Sequence, residues 1–170
     1  MNVESRDSVS LKPAELDEFG QLLTSNGLQI SDDELDRQVE AFPLVVLADT
    51  GGELQGLMLG SLERIGGTPA ILWGLGAVRK GKLASETLKT MTGELTRRAA
   101  ISFPDEDVLV ATRFAQPSAY VLLQSYANVV PRPAYTPNGE DRAWGRRLAK
   151  RYGVEPHFDD RAFKIAVKGR

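Results

Sequence analysis

The 170-residue sequence has no cysteine and a single histidine, His157. Without thiols there is no disulfide, no cysteine nucleophile and no cysteine-ligated metal, and one imidazole cannot build a histidine cluster. No apolar run approaches the ~20 residues a membrane-spanning helix needs, so no spanning segment is expected. The opening residues, MNVESRDSVSL, are acidic and polar where a secretion signal would place basic and then apolar residues, and the cytoplasm is the expected location. A formal net charge of −2 gives no general drive toward nucleic acid. Repeats, low-complexity tracts and long Pro/Gly/Ser-rich linkers are also lacking, so residues 1–170 read as one domain.

What is present suits a soluble protein with a core of its own, since 42% of residues are hydrophobic and 26% charged. After a short first strand around Val9–Leu11, Leu16, Phe19, Leu22 and Leu23 fall on one helical face opened by Pro13. Ser31 and Glu34 have the spacing of a capping box, and Leu35, Val39 and Phe42 follow at helical intervals. From Pro43 the period becomes that of strands: FPLVVLAD closed by Asp49–Gly52, LQGLMLGSLERI closed by Gly66–Pro69, then AILWGLGAV. Gly74 and Gly76 inside that third strand should weaken its pairing unless a bulge, or close approach by another backbone or a ligand, needs them.

Leu88, Met91, Leu95 and Ala99 predict a helix ending before Pro104, with Arg97 and Arg98 in its last turn. DVLVATRF predicts a buried strand reached by a parallel crossover, and Pro117 opens a shorter helix through about Ala127. Trp144, Leu148 and Tyr152 mark a last helix, and AFKIAVK alternates like a strand. The sum is a mixed α/β fold.

Between the third strand and the crossover helix lies AVRKGKLASETL. A helix N-terminus offers unpaired N–H groups to an anion, Arg79, Lys80 and Lys82 add charge, and Gly81 lets a backbone come close. The alternative is an ordinary charged turn. No P-loop pattern is present.

This loop, the order of elements and the segment DVLVATRFAQPSAYVLLQSY resemble the GNAT superfamily of acyl-CoA-dependent N-acyltransferases over most of the chain. The resemblance implies a mostly antiparallel central sheet with one parallel strand–helix–strand crossover and flanking helices. It also implies an acyl-CoA co-substrate, acetyl-CoA or a relative, with pyrophosphate on a loop of pattern Gln/Arg-x-x-Gly-x-Gly/Ala. Carried over residue by residue, the cofactor-binding positions are Ala77, Val78, Arg79, Gly81, Lys82, Ala84 and Ser85, with Gln116 from the second segment. Gln116–Pro117, Tyr120, VVPRP and the 139–152 helix look like the Asn-Pro pair, tyrosine, proline stretch and late helix of one subset of the superfamily.

Two departures stand out. The glycine follows Arg79 by two residues instead of three, and Leu123 occupies the place of the tyrosine that often protonates the departing thiolate. Tyr120 and Tyr126 are the substitute acids, and Glu63 is the candidate base. The segment Gly74–Val78 is the candidate source of an N–H for the thioester carbonyl. The expected acceptor is an amine of a small molecule or protein, drawn from pockets usually built in this fold by LLTSNGLQISDDEL and VVPRPAYTPNG. Nucleic acid and membrane are not expected as partners, and a homodimer is compatible with the reading. The competing function is a non-catalytic GNAT-like binding or regulatory module that has lost the standard catalytic residues.

Other features read more simply. His157, Asp159 and Asp160 suggest a turn before a strand rather than a metal site. Trp144 reads as core, and Arg142, Arg146, Arg147, Lys150 and Arg151 as a solvated helix face rather than a surface for an acidic partner.

Overall fold

Val45, Val46 and Ala48 are wholly buried in the strand Leu44–Thr50 (β2), because both faces of the sheet to which it belongs are covered by helices. The computed structural model describes residues 1–115 and 117–166, which fall into two compact units, Met1–Arg113 and Phe114–Arg170.

In the first unit five strands lie in the order β1-β2-β3-β4-β5: Asn2–Asp7 (β1), β2, Glu53–Ile65 (β3), Thr68–Val78 (β4) and Leu109–Ala111 (β5). The first four pair antiparallel, and β5 joins β4 in parallel through Ala70–Leu72. Gly51–Gly52 and Gly66–Gly67, all at positive φ, make the two hairpin turns, with Asp49 accepting the Gly52 N–H at 3.1 Å. Thr68 and Pro69 belong to β4 and not to its turn.

Two helices, Pro13–Ser25 (α1) and Asp32–Ala41 (α2), precede β2. Phe19, Leu22 and Leu23 are buried from α1, and Leu35 and Val39 from α2. Ser31 caps α2 by accepting the Glu34 N–H, while the Glu34 carboxylate turns to Arg37 and Gln38, so half of the expected capping box forms. Ala84–Ser102 (α3) links β4 to β5 and buries Thr87, Met91, Leu95 and Ala99. Its approach to β3 depends on two glycines: a Cβ at Gly56 would lie 2.7 Å from Thr87 Cγ2, and one at Gly60 would lie 3.1 Å from Leu95 Cδ1.

Several local expectations change. The first strand is Asn2–Asp7; Val9, expected within it, sits in a 3-10 turn and is 77% exposed, because Ser8 bends the chain by bonding to Pro43 and Val39 carbonyls. Arg97 and Arg98 lie short of the last turn of α3, since the helix continues to Ser102. The buried strand DVLVATRF shrinks to the three residues of β5.

In the second unit, Pro117–Leu123 forms a 3-10 helix instead of the longer α-helix expected through Ala127. Gly139–Arg151 (α4) is capped by Asn138 and Asp141 in reciprocal hydrogen bonds. Among the described residues, the ending pairs as Phe158–Asp159 (β6) with Lys164–Ile165 (β7). Trp144 is half-buried under the Arg147 guanidinium, which stands 5.1 Å from its ring, and is not a core residue. Arg142 and Arg146 both bond Asp160, so that helix face is partly engaged and not simply solvated. Asp159 accepts the Arg161 and Ala162 N–H groups, the turn expected after His157.

Candidate functional site

The ladder between β3 and β4 slips where Met58 opposes Gly76 and Gly60 opposes Trp73. Two steps on β3 therefore match three on β4, which puts one extra residue at Gly74–Leu75. This is a bulge, where the ladder is locally disrupted. Gly74 is required there because a Cβ would lie 2.8 Å from the Phe42 ring, so the glycine serves packing as well as the bulge.

Past Leu72, β4 has no β5 residue beside it in the ladder. Successive strand residues send their N–H and C=O groups to alternate edges. The Arg79 N–H reaches the Gln55 carbonyl of β3 at 2.7 Å, so the polar groups of Val78 and Gly76 point to the opposite, uncovered edge. There the Val78 carbonyl accepts from Asn26 Nδ2 at 2.9 Å. The N–H and C=O of Gly76 and the N–H of Val78 remain as a short peptide ledge.

The ledge runs directly into the basic loop. Gly81 has φ +146° with open space where a Cβ would stand, a backbone setting that L side chains rarely adopt. Its carbonyl accepts the Ala84 N–H at 3.2 Å, and the Leu83 carbonyl accepts both the Thr87 N–H and the Thr87 hydroxyl at 2.8 Å. The N–H groups of Ser85 and Glu86, in the first turn of α3, have no intrahelical partner and lie exposed with Lys80 and Lys82. Glu86 puts a carboxylate in that same turn.

Arg79 is placed differently from its neighbours. Its Nε donates to the Leu54 carbonyl at 3.0 Å, and the guanidinium lies 3.8 Å from Glu18 and 3.7 Å from Glu53. The side chain lies along the sheet end, still 41% exposed, and Lys80 and Lys82 are the loop's other cations.

Of the sequence candidates, Ala77, Val78, Arg79, Gly81, Lys82, Ala84 and Ser85 are contiguous here at the end of β4 and the start of α3. Glu63 is half-buried on β3, opposite Ala70, with its carboxylate accepting the Ser61 hydroxyl at 2.7 Å. It lies three residues from Gly60, roughly 10 Å along the strand from the bulge. Tyr120 and Tyr126 belong to the second unit; the Tyr120 hydroxyl donates to the Pro131 carbonyl at 2.7 Å, and Tyr126 is half-buried. Gln116 lies outside the described residues. Asn26 was not anticipated, and its position after a helix C-terminus before Gly27 signals only a cap.

A groove of about 510 Å³ runs between α1 and α2, lined by Leu16, Gly20, Thr24, Asp32, Leu35 and Asp36. Helical phase sets it on the flank of α1 away from Phe19, Leu22 and Leu23. Among the described residues no group of three carboxylate or imidazole side chains is placed to hold a metal, and no helix is long and apolar enough to cross a membrane.

No family model and no curated protein sequence matches the chain. Solved structures do. The aminoglycoside 6'-N-acetyltransferase AAC(6')-IG from Acinetobacter haemolyticus matches with TM-score 0.54 and 14% identity, over 81% of this chain and 98% of that one. AAC(6')-Iy, solved with the bisubstrate analogue CoA-S-monomethyl-acetylneamine, matches with TM-score 0.54 and 12% identity, over 81% and 99%. The aminoglycoside 6'-N-acetyltransferase from Enterococcus faecium matches with TM-score 0.49 and 18% identity over 59% of this chain, which spans 55% of its length.

Proposed function

Since the chain is a divergent member of the GNAT fold, we propose that it is an acyl-CoA-dependent N-acyltransferase, most simply an acetyltransferase, acting on an amine of a small molecule or protein. The observation that carries this reading is the uncovered edge of β4, where a bulge, a peptide ledge and a basic loop at a helix start follow one another over Gly74–Glu86.

An acyl-CoA supplies an activated thioester and a pyrophosphate-bearing handle. The chain's residues fit both ends. The ledge at Gly76 and Val78 can pair with the amides of the pantetheine arm, as an added strand would. Lys80, Lys82 and the N–H groups of Ser85 and Glu86 would hold the diphosphate end, with Gly81 shaping the turn. At the bulge, a backbone N–H turned out of the ladder would be the donor for the carbonyl oxygen as it gains charge. The amine nitrogen forms the new bond to carbon while the carbon–sulfur bond breaks; the amine gives up a proton and the thiolate takes one. Glu63 can remove that proton only through intervening water, given its distance from the bulge. Tyr120 already donates its proton to Pro131, so it must exchange that partner to serve as the acid; Tyr126 is the other phenol proposed.

The non-catalytic reading draws support from that engaged Tyr120 proton and from Glu86 beside the proposed phosphate end. Turnover separates the two. Because the chain has no cysteine, a thiol reagent reads liberated CoA without background from the protein. Amine-dependent thiol release from acetyl-CoA is the expected result with an aminoglycoside, polyamine and peptide-amine panel. Binding of acetyl-CoA with no release across acetyl-, propionyl- and longer acyl-CoAs would establish the binding module.

A further inference from the structure

Arg79 and Asn26 approach the end of β4 from its two edges. Arg79 ties the strand to β3, through its N–H on Gln55 and its Nε on the Leu54 carbonyl. Asn26 ties it to α1: one amide nitrogen donates to Val78 at 2.9 Å and to Leu22, in the last turn of α1, at 2.8 Å. Glu18, also on α1, lies beside the Arg79 guanidinium. The ion pairs are partly exposed and add little; the bonds to backbone carbonyls do the holding.

These bonds have two consequences for a ligand on the open edge. With the Val78 carbonyl engaged by Asn26, the outward carbonyl left without a partner on the ledge is that of Gly76, which favours a register that pairs there. With Arg79 turned onto Leu54, the loop begins from a pinned residue, and its phosphate-facing charge falls to Lys80 and Lys82. We propose that Asn26 and Arg79 form a latch that sets the end of β4, making them positioning residues of the acyl-CoA site and not ligands of its phosphates. The latch rests on the acyl-CoA reading for its functional meaning.

Two probes separate positioning from phosphate contact: acetyl-CoA and acetyl-pantetheine, which lacks the phosphates. Asn26→Asp keeps the shape but removes the donor, and Arg79→Lys keeps the charge but removes the Nε donor. Each is expected to weaken both probes by the same factor, roughly three- to tenfold for a lost backbone-directed hydrogen bond. Lys80→Ala and Lys82→Ala should weaken acetyl-CoA alone. Amide hydrogen exchange on the ligand-free protein provides the second readout: residues 79–86 should exchange faster in both latch variants, while the β2–β3 hairpin keeps its protection. An unchanged exchange pattern overturns the latch, and so does an Arg79→Ala variant that loses acetyl-CoA but not acetyl-pantetheine, which would make Arg79 a phosphate ligand. Wild-type protein that binds neither probe overturns the acyl-CoA reading and the latch's role in it, whatever the exchange shows.

Discussion

Gly81 and Gly74 are both glycines near the loop, but they are needed for different reasons. At Gly81 the constraint is φ +146°, with nothing within 4 Å of a would-be Cβ. Gly81→Ala is therefore expected to destabilise the fold by about 1–3 kcal/mol through backbone strain, and to weaken acetyl-CoA binding as the loop relaxes. At Gly74 the obstacle is the Phe42 ring, so Gly74→Ala should cost about 1–3 kcal/mol by overpacking. Urea denaturation measures both, and truncating Phe42 to leucine should soften the second cost but not the first. The sequence shows the glycines without showing which constraint applies, because Phe42 lies 32 residues from Gly74. Glu94 was half-legible, since Arg97 lies three residues on at helical spacing but Ser5 is 89 residues away. Its carboxylate is held down to about 2, chiefly by the hydrogen bond from Arg97, with the Ser5 hydroxyl adding a second. A carboxyl depressed in the folded state stabilises it fully above the ordinary value of 4.5 and loses that contribution as pH falls toward 2. With the side chain only 9% exposed, the contribution is on the order of 2–3 kcal/mol. Glu94→Gln should thus lower stability at pH 7 and flatten its fall between about pH 5 and 2, followed by urea midpoints across that range.

At the scale of elements, legibility follows burial. β2, β3, β4 and the buried stripes of α1, α2 and α3 were readable because core-facing residues impose a period that survives in one sequence. β1 was misplaced because an edge strand written NVESRD is held by backbone pairing to β2, which asks little of its side chains. The shortness of β5 and the 3-10 winding at Pro117–Leu123 are set by where pairing stops, and composition does not encode that. The bulge was half-legible: two glycines marked the place, but only the register against Met58 and Gly60 showed the extra residue. Helix α3 matters most for the proposed site, since its first turn would form one end of it. Gly56→Ala would put a Cβ 2.7 Å from Thr87 and 2.9 Å from Met91, forcing that end of α3 away from β3. The expected outcome is a loss of about 1–3 kcal/mol in stability together with weaker acetyl-CoA binding, read by urea denaturation and calorimetry on the same preparation.

For the molecule as a whole, a net charge of −2 leaves the basic loop as a local feature of a mildly acidic chain. Acetyl-CoA binding should therefore weaken as salt rises, while acetyl-pantetheine binding should hardly respond. The fold class could be reached from the order of elements, and structural likeness establishes it. The stretch proposed to hold the cofactor could be named from sequence because it is contiguous in the chain. The proposed base and acids could be named only singly, because Glu63 lies 57 residues from Tyr120 and 63 from Tyr126 and no sequence pattern joins them. The central claim is that the end of β4 and the start of α3 receive an acyl-CoA. Titrating acetyl-CoA into isotopically labelled protein and following backbone amide shifts tests it most directly. Saturable shifts are expected, largest from Gly76 to Thr87, with Ser85 and Glu86 moving strongly; saturation without movement in that segment, or no saturable shifts at all, would contradict binding there.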